Sequence, residues 1–221
     1  MSSIPTSAPV SIPGQGQGQG PGPLGPAPVA LRRLQTRQLR LLAPADRPAL
    51  AKAVACYLHD NRAHLAPWDP PQAPGAGRPA QARAMLAAGA TAFAAGLALR
   101  WWLTDTDLPG QVIGSVQLSA ITRGAFHSAN LGYAIAASHQ GRGLMAEAVQ
   151  AVIDEAFSPR VNLHRIQASV RPENQRSMGL LQRLGFAKIG LARRYLFIDG
   201  DWRDHLLFEL TQQHFIRPAH W

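Results

Sequence analysis

Cysteine is nearly absent: Cys56 is the one thiol among 221 residues. No internal disulfide can form, which fits a reducing compartment. Cys56 itself is expected as a small buried residue on a helix. Acidic charge is scarce too, with 13 Asp and Glu against 22 Lys and Arg and a formal net charge of +9. Such a surface attracts RNA, acidic proteins and phosphorylated cofactors. No dense basic run accompanies it, which argues against a dedicated nucleic-acid module and limits RNA contact to proximity. The eight histidines are scattered and no Cys/His spacing suits zinc, so no metal is expected. No apolar stretch reaches the ~18–20 residues of a membrane span. The nearest, 84–103, is interrupted by glycines and Arg100. A cytoplasmic protein with no membrane partner is the reading that remains.

Charge is missing altogether from residues 1–31. About half of residues 1–28 are Pro or Gly, and 15–20 repeat Gln-Gly. Such a segment cannot bury enough apolar area to offset its ordering entropy, so residues 1–30 are expected as a disordered tail. It lacks the basic start and apolar core of a signal peptide and the arginines of a mitochondrial presequence. Residues 31–221 are expected as one domain, and a 46% hydrophobic content supplies its core.

Within that domain 37–42 reads as a strand. A helix follows, capped by Asp46 and striped by Leu50, Val54 and Leu58. A Pro-rich loop, a second helix over 79–88 and strands over 97–103, 111–120 and 129–136 come next. Residues 143–157 form a helix, 163–170 a strand, 174–184 a helix stopped by Gly185, and 187–191 and 202–210 the last strands. Antiparallel strands passing into strand–helix–strand units imply a mixed α/β sheet with helices on both faces. Trp101 and Trp102 alternate across a strand, so one is expected in the core and one at the surface.

The chemistry concentrates in two places. The turn Gln140-Gly141-Arg142-Gly143-Leu144-Met145 runs into a helix. A helix start offers unpaired N–H groups and a partial positive charge, which suit a pyrophosphate. Gly141 and Gly143 let the backbone approach it, and Arg142 adds a charged donor. Thirty residues on, Asn174 and Ser177 lie one helical turn apart and can face one cleft.

These segments resemble the GNAT acetyltransferase superfamily, whose signature Gln/Arg-x-x-Gly-x-Gly/Ala is matched at Gln140 and Gly143. Met145 departs from it but keeps a backbone N–H. The resemblance implies a mixed, mostly antiparallel sheet with a splayed acetyl-CoA cleft. It places Ile135 at the splay, Asn174 beside the pantetheine arm and Ser177 near the sulfur as the catalytic hydroxyl. Residues 61–68, 140–145 and 199–205 look like segments of ribosomal-protein-alanine N-acetyltransferases. That branch implies acetyl transfer to a protein N-terminus, Ala or Ser, by direct attack of the amine on the thioester, in a monomer or homodimer. Asn61, Trp68, Tyr133 and Tyr195 are the candidates for the acceptor pocket.

The base is not legible. Where one branch of relatives carries a glutamate this chain has Leu196, and Glu147, Glu173 and Glu209 have no evident placement. An α-amine of pKa about 8 is roughly one-fifth neutral near pH 7.4, whereas a lysine at about 10.4 faces ~4 kcal/mol. A site without a strong base therefore favours an α-amine. Two alternatives stand beside it. One is a small amine such as an antibiotic or polyamine, drawn by Asp199, Asp201 and Asp204 near one turn. The other is a non-catalytic acetyl-CoA-binding protein.

Overall fold

A computed structural model describes residues 30, 32–45, 47–72, 75 and 77–218. The proposed tail and Asp46 lie outside the described residues, residue 30 excepted. The order is β1 (Leu34–Gln35), β2 (Leu39–Leu42), α1 (Pro48–Asp60), α2 (Arg62–Leu65), α3 (Pro79–Ala94), β3 (Leu99–Asp105), β4 (Val112–Thr122), β5 (Ser128–Ile135), α4 (Leu144–Phe157), β6 (Arg165–Val170), α5 (Gln175–Arg183), β7 (Ala187–Ile198) and β8 (Asp201–Thr211). The strands form one sheet in the order β1-β2-β3-β4-β5-β6-β8-β7. Each neighbouring pair is antiparallel except β5 and β6. The expected mixed α/β sheet is therefore present.

Helices cover both faces. On one, Leu144, Ala148, Val152 and Ala156 of α4, with Leu181 of α5, pack on Trp101, Val116, Leu131 and Ile166. On the other, Leu50, Val54 and Leu58 of α1 and Leu86 of α3 pack on Trp102 and Val112. This double cover corrects the expectation for the tryptophans, because both are buried. Trp101 meets Phe93 edge-on at 5.2 Å and donates its indole N–H to the Arg32 carbonyl. Trp102 meets Tyr57 edge-on at 6.3 Å.

Other local expectations shift for local reasons. α1 starts at Pro48, with Arg47 at the cap position and no side-chain cap bond. Proline suits that first turn because its missing N–H would have no helical partner. Cys56 is exposed, since the buried face of α1 runs through the residues beside it. α3 continues past Ala88 to Ala94 across Gly89, where Pro44 packs against the bare Cα. β7 runs to Ile198 through a register shift between Ala192 and Leu196. Arg194 adopts φ +49° inside that shift.

Candidate active site

The donor side is built by backbone. Gly143 precedes α4 as its cap residue with φ +76°, and Gly141 has φ +77°. A side chain is strained at either angle, and no atom lies within 4 Å of where a Cβ would sit. The loop face is therefore open, and only the conformation demands glycine. Among the described residues, the N–H groups of residues 141–145 donate to nothing. Leu144 and Met145 turn their side chains into the core, so each offers only its amide. Five unpaired amides at a helix start fit a diphosphate. Arg142 is half exposed and pairs with Asp105 at 3.6 Å. Gln140 braces the loop instead of lining the cradle. Its amide contacts His64 Nε2 at 3.1 Å, and its carbonyl oxygen accepts from Arg176.

The splay lies beside this loop. Parallel pairing of β5 with β6 ends at Leu131 opposite Ala168, while β5 continues to Ile135. The Ala136 N–H donates to the Ile113 carbonyl at 2.7 Å, on the β4 side. Alternation along a strand then directs the Tyr133 and Ile135 backbone groups toward the open side. An N–H there can meet an oxyanion. Across the gap, Asn174 caps α5: its Oδ1 accepts the Ser177 N–H at 3.1 Å. Its amide nitrogen is left without a partner among the described residues. The Tyr133 and Ser177 hydroxyls bond at 2.6 Å. Burial pushes the Tyr133 phenol up to about 12, with Ser177 pulling it partly back. The phenol is thus a neutral donor at working pH.

A cavity of about 600 Å³ opens from this pair over the sheet. Trp68, Tyr133, Tyr195, Asn174 and Ser177 all line it. Asn61 does not. Its Oδ1 accepts the Ala137 N–H at 3.1 Å and its amide donates to the Tyr57 carbonyl at 3.0 Å, so it ties α1 to the segment before the glycine turn. Leu196 lines the cavity as an apolar wall. Glu147 binds Thr36 and Gln38, Glu173 pairs with Arg171, and Glu209 pairs with Arg165. The aspartates near the last turn are also engaged. Asp199 pairs with Arg171 and Arg203, and Asp204 accepts the Arg194 N–H.

Sequence reasoning missed several lining groups. Arg100 reaches in from β3, with its Nε donating to Gln117 Oε1 at 2.7 Å. Ser115, Gln117 and Ser119 alternate along β4, a period-2 signal that was readable. Asp69, directly after Trp68, faces the same space. His205 is buried, and its Nδ1–H donates to the Arg203 carbonyl at 2.9 Å, leaving Nε2 as the lone-pair nitrogen. Burial, ahead of the other influences, holds its pKa below the ordinary value. No group of three or more His, Cys, Asp or Glu able to hold a metal occurs among the described residues. Nor is any described helix long and apolar enough to cross a membrane.

Unpaired amides at a helix start, a splayed sheet and a hydroxyl pair lining the cavity suit an acyltransferase whose acyl donor carries a diphosphate. The chain matches the acetyltransferase (GNAT) domain over residues 37–187 and belongs to that family, whose acyl donor is acetyl-CoA. It is 40% identical to the [ribosomal protein uS5]-alanine N-acetyltransferase of Escherichia coli K12, over 81% of this chain and 90% of that one. Among solved structures it is similar to the ribosomal-protein-S5-alanine acetyltransferase of Vibrio fischeri. The TM-score there is 0.78 at 32% identity, covering 84% of this chain and 100% of that one. Mycobacterium smegmatis RimJ in complex with CoA-disulfide aligns with a TM-score of 0.75 at 31% identity, over 84% and 90%.

Proposed function

We propose that this enzyme acetylates the N-terminal α-amine of a protein, and that a ribosomal protein starting with Ala or Ser is its acceptor. The Tyr133–Ser177 hydroxyl pair, which lines the cavity over the sheet, carries the reading. Acetyl-CoA supplies an activated acyl thioester. Residues 141–145 would hold its diphosphate, and Asn174 its pantetheine arm. The Tyr133 and Ile135 backbone groups would face the carbonyl oxygen. Ser177, polarised by Tyr133, would donate to the departing sulfur. Trp68, Tyr195 and Leu196 would flank the first acceptor residue.

The named substrate of the Escherichia coli relative supports the acceptor class. The engaged aspartates at 199 and 204 weaken the case for a polyamine, whose cations would find that charge already paired. A cytoplasmic site of action goes with a ribosomal acceptor. The domain from residue 31 onward would suffice for the chemistry.

The test is coenzyme A release with peptides beginning in free Ala or Ser, beside twins with a blocked N-terminus and an internal Lys. Mass spectrometry locates the acetyl group. Acetylation confined to the free α-amine is expected. Turnover on the internal Lys, or none on any peptide despite acetyl-CoA binding, would refute the proposal.

A further inference from the structure

We infer that Asp69 anchors the acceptor's α-ammonium and takes its proton; the assignment rests on the N-terminal reading above. Asp69 sits in the turn that closes α2. The Trp68 and Asp69 N–H groups both donate to the Leu65 carbonyl, at 2.8 and 3.0 Å. The turn is therefore fixed, and the side chain lines the cavity that also holds Tyr133 and Ser177. Among the described residues its carboxylate accepts no hydrogen bond and closes no ion pair. The carboxylates at 147, 173, 199 and 209 all have partners. Asp69 is thus a partly buried anion facing a substrate cavity with its pairing capacity unused.

The groups around it explain why. Tyr57 faces it from α1, His64 from α2 and Arg100 from β3. Arg171, at the end of β6, stacks over Trp68 at 5.5 Å and donates to the Pro67 carbonyl. Arg100 is turned toward Gln117 and lies over the Trp102 ring at 5.6 Å, so it attracts Asp69 without pairing with it. Burial pushes the Asp69 carboxyl up to about 6, and Arg100 and His64 pull it partly back. Near neutral pH it is ionised, and a cation entering the cavity completes it.

The proton balance closes. Asp69 takes one proton from the ammonium and leaves a neutral amine. The amine nitrogen forms a bond to the thioester carbonyl carbon as the carbon–sulfur bond breaks. The second N–H proton passes to sulfur through the Tyr133 and Ser177 hydroxyls, giving the thiol of coenzyme A. Asp69 then returns its proton to water. An α-ammonium at about 8 lies two pK units above this base, and a lysine at about 10.4 lies more than four above it. A weak carboxylate therefore selects the α-amine on proton affinity alone.

The experiment uses the full chain, with Asp69→Asn and Asp69→Glu. Without acetyl-CoA, calorimetry should show a free-Ala peptide binding about tenfold tighter than its N-acetylated twin. Asp69→Asn should abolish that preference. With acetyl-CoA, kcat/KM of the wild type should rise through about pH 6, and in Asp69→Asn the limb should move to the amine's own value near 8. Asp69→Glu should restore part of the preference. The Asn variant should melt at or above the wild type above pH 6. A carboxyl raised from its ordinary value costs the folded state once it ionises. An NMR titration of the wild-type Asp69 carboxyl gives a reading independent of any variant. Its pKa should fall when the free-amine peptide binds and stay put with the blocked one.

An unchanged limb and an unchanged binding preference in Asp69→Asn would overturn the assignment. So would a limb that disappears only in His205→Gln. A wild type that acetylates no free N-terminus would overturn the N-terminal reading itself, a different result from a wild type that does so without needing Asp69.

Discussion

Replacing Gly114 with alanine should damage fold and chemistry together. A Cβ at Gly114 would lie 2.5 Å from the Ala134 carbonyl oxygen of β5. Leu103 Cδ1 at 3.2 Å and Ile135 Cα at 3.3 Å close the other directions. Backbone, not a pliable side chain, is in the way, so β4 and β5 must part by roughly 1 Å to restore ordinary contact. Overpacking of this kind costs about 2–3 kcal/mol, which for a domain of this size lowers Tm by roughly 4–12 °C. The displaced strand also carries the Tyr133 and Ile135 backbone groups at the splay. Misplacing reacting partners by about 1 Å can cost on the order of 10²-fold in rate. Gly132→Ala is the control. Its Cβ would meet only the Gln117 side chain, Nε2 at 3.0 Å and Cγ at 3.3 Å, and no backbone atom. Its Tm should stay within roughly 2 °C of wild type. Differential scanning fluorimetry and steady-state coenzyme A release read both variants. A Gly114→Ala protein with wild-type Tm and kcat/KM, or the same loss in Gly132→Ala, would refute the reasoning.

Ser177→Ala should lower kcat about 10²-fold while the KM for acetyl-CoA moves little, because the hydroxyl acts on the leaving sulfur; steady-state kinetics at saturating peptide decides it. Glu147→Gln should reduce stability at neutral pH and flatten its loss toward acid. Burial raises the Glu147 carboxyl, but bonds from Thr36 and Gln38 outweigh that and hold it below its ordinary value. Its contribution is therefore present above the unfolded carboxylate pKa and lost as pH falls through the lower folded one. Chemical denaturation across that range should show the wild-type and variant curves converging at low pH.

The local structure of the proposed donor half was legible because its signals are local. A glycine turn, a helix start and an Asn–x–x–Ser pair each span a few residues, and the chain folds them where it writes them. The acceptor half is assembled from β3, β4, the turn after α2, and β8, and no short window contains it. Asp69 reads as one more polar residue in a Pro-rich stretch until folding sets it over the sheet. Asn61 sits inside a family-like segment, yet the fold spends it on Ala137. The expectation that one of Trp101 and Trp102 reaches the surface fails because alternation gives two faces but not their covers. Charge misled in the same way: Asp199, Asp201 and Asp204 are close in sequence, but Arg171 after β6 and Arg203 of β8 take up Asp199, and the Arg194 backbone takes up Asp204.

The amide cradle of residues 141–145 has an evolutionary consequence. As the proposed diphosphate site it would recognise its ligand with atoms common to every amino acid, which insulates it from most side-chain change outside Gly141 and Gly143. The cavity is lined instead by side chains from scattered strands and one turn. On the proposed assignment, substitutions in the cavity would change acceptor choice while the donor cradle stays as it is.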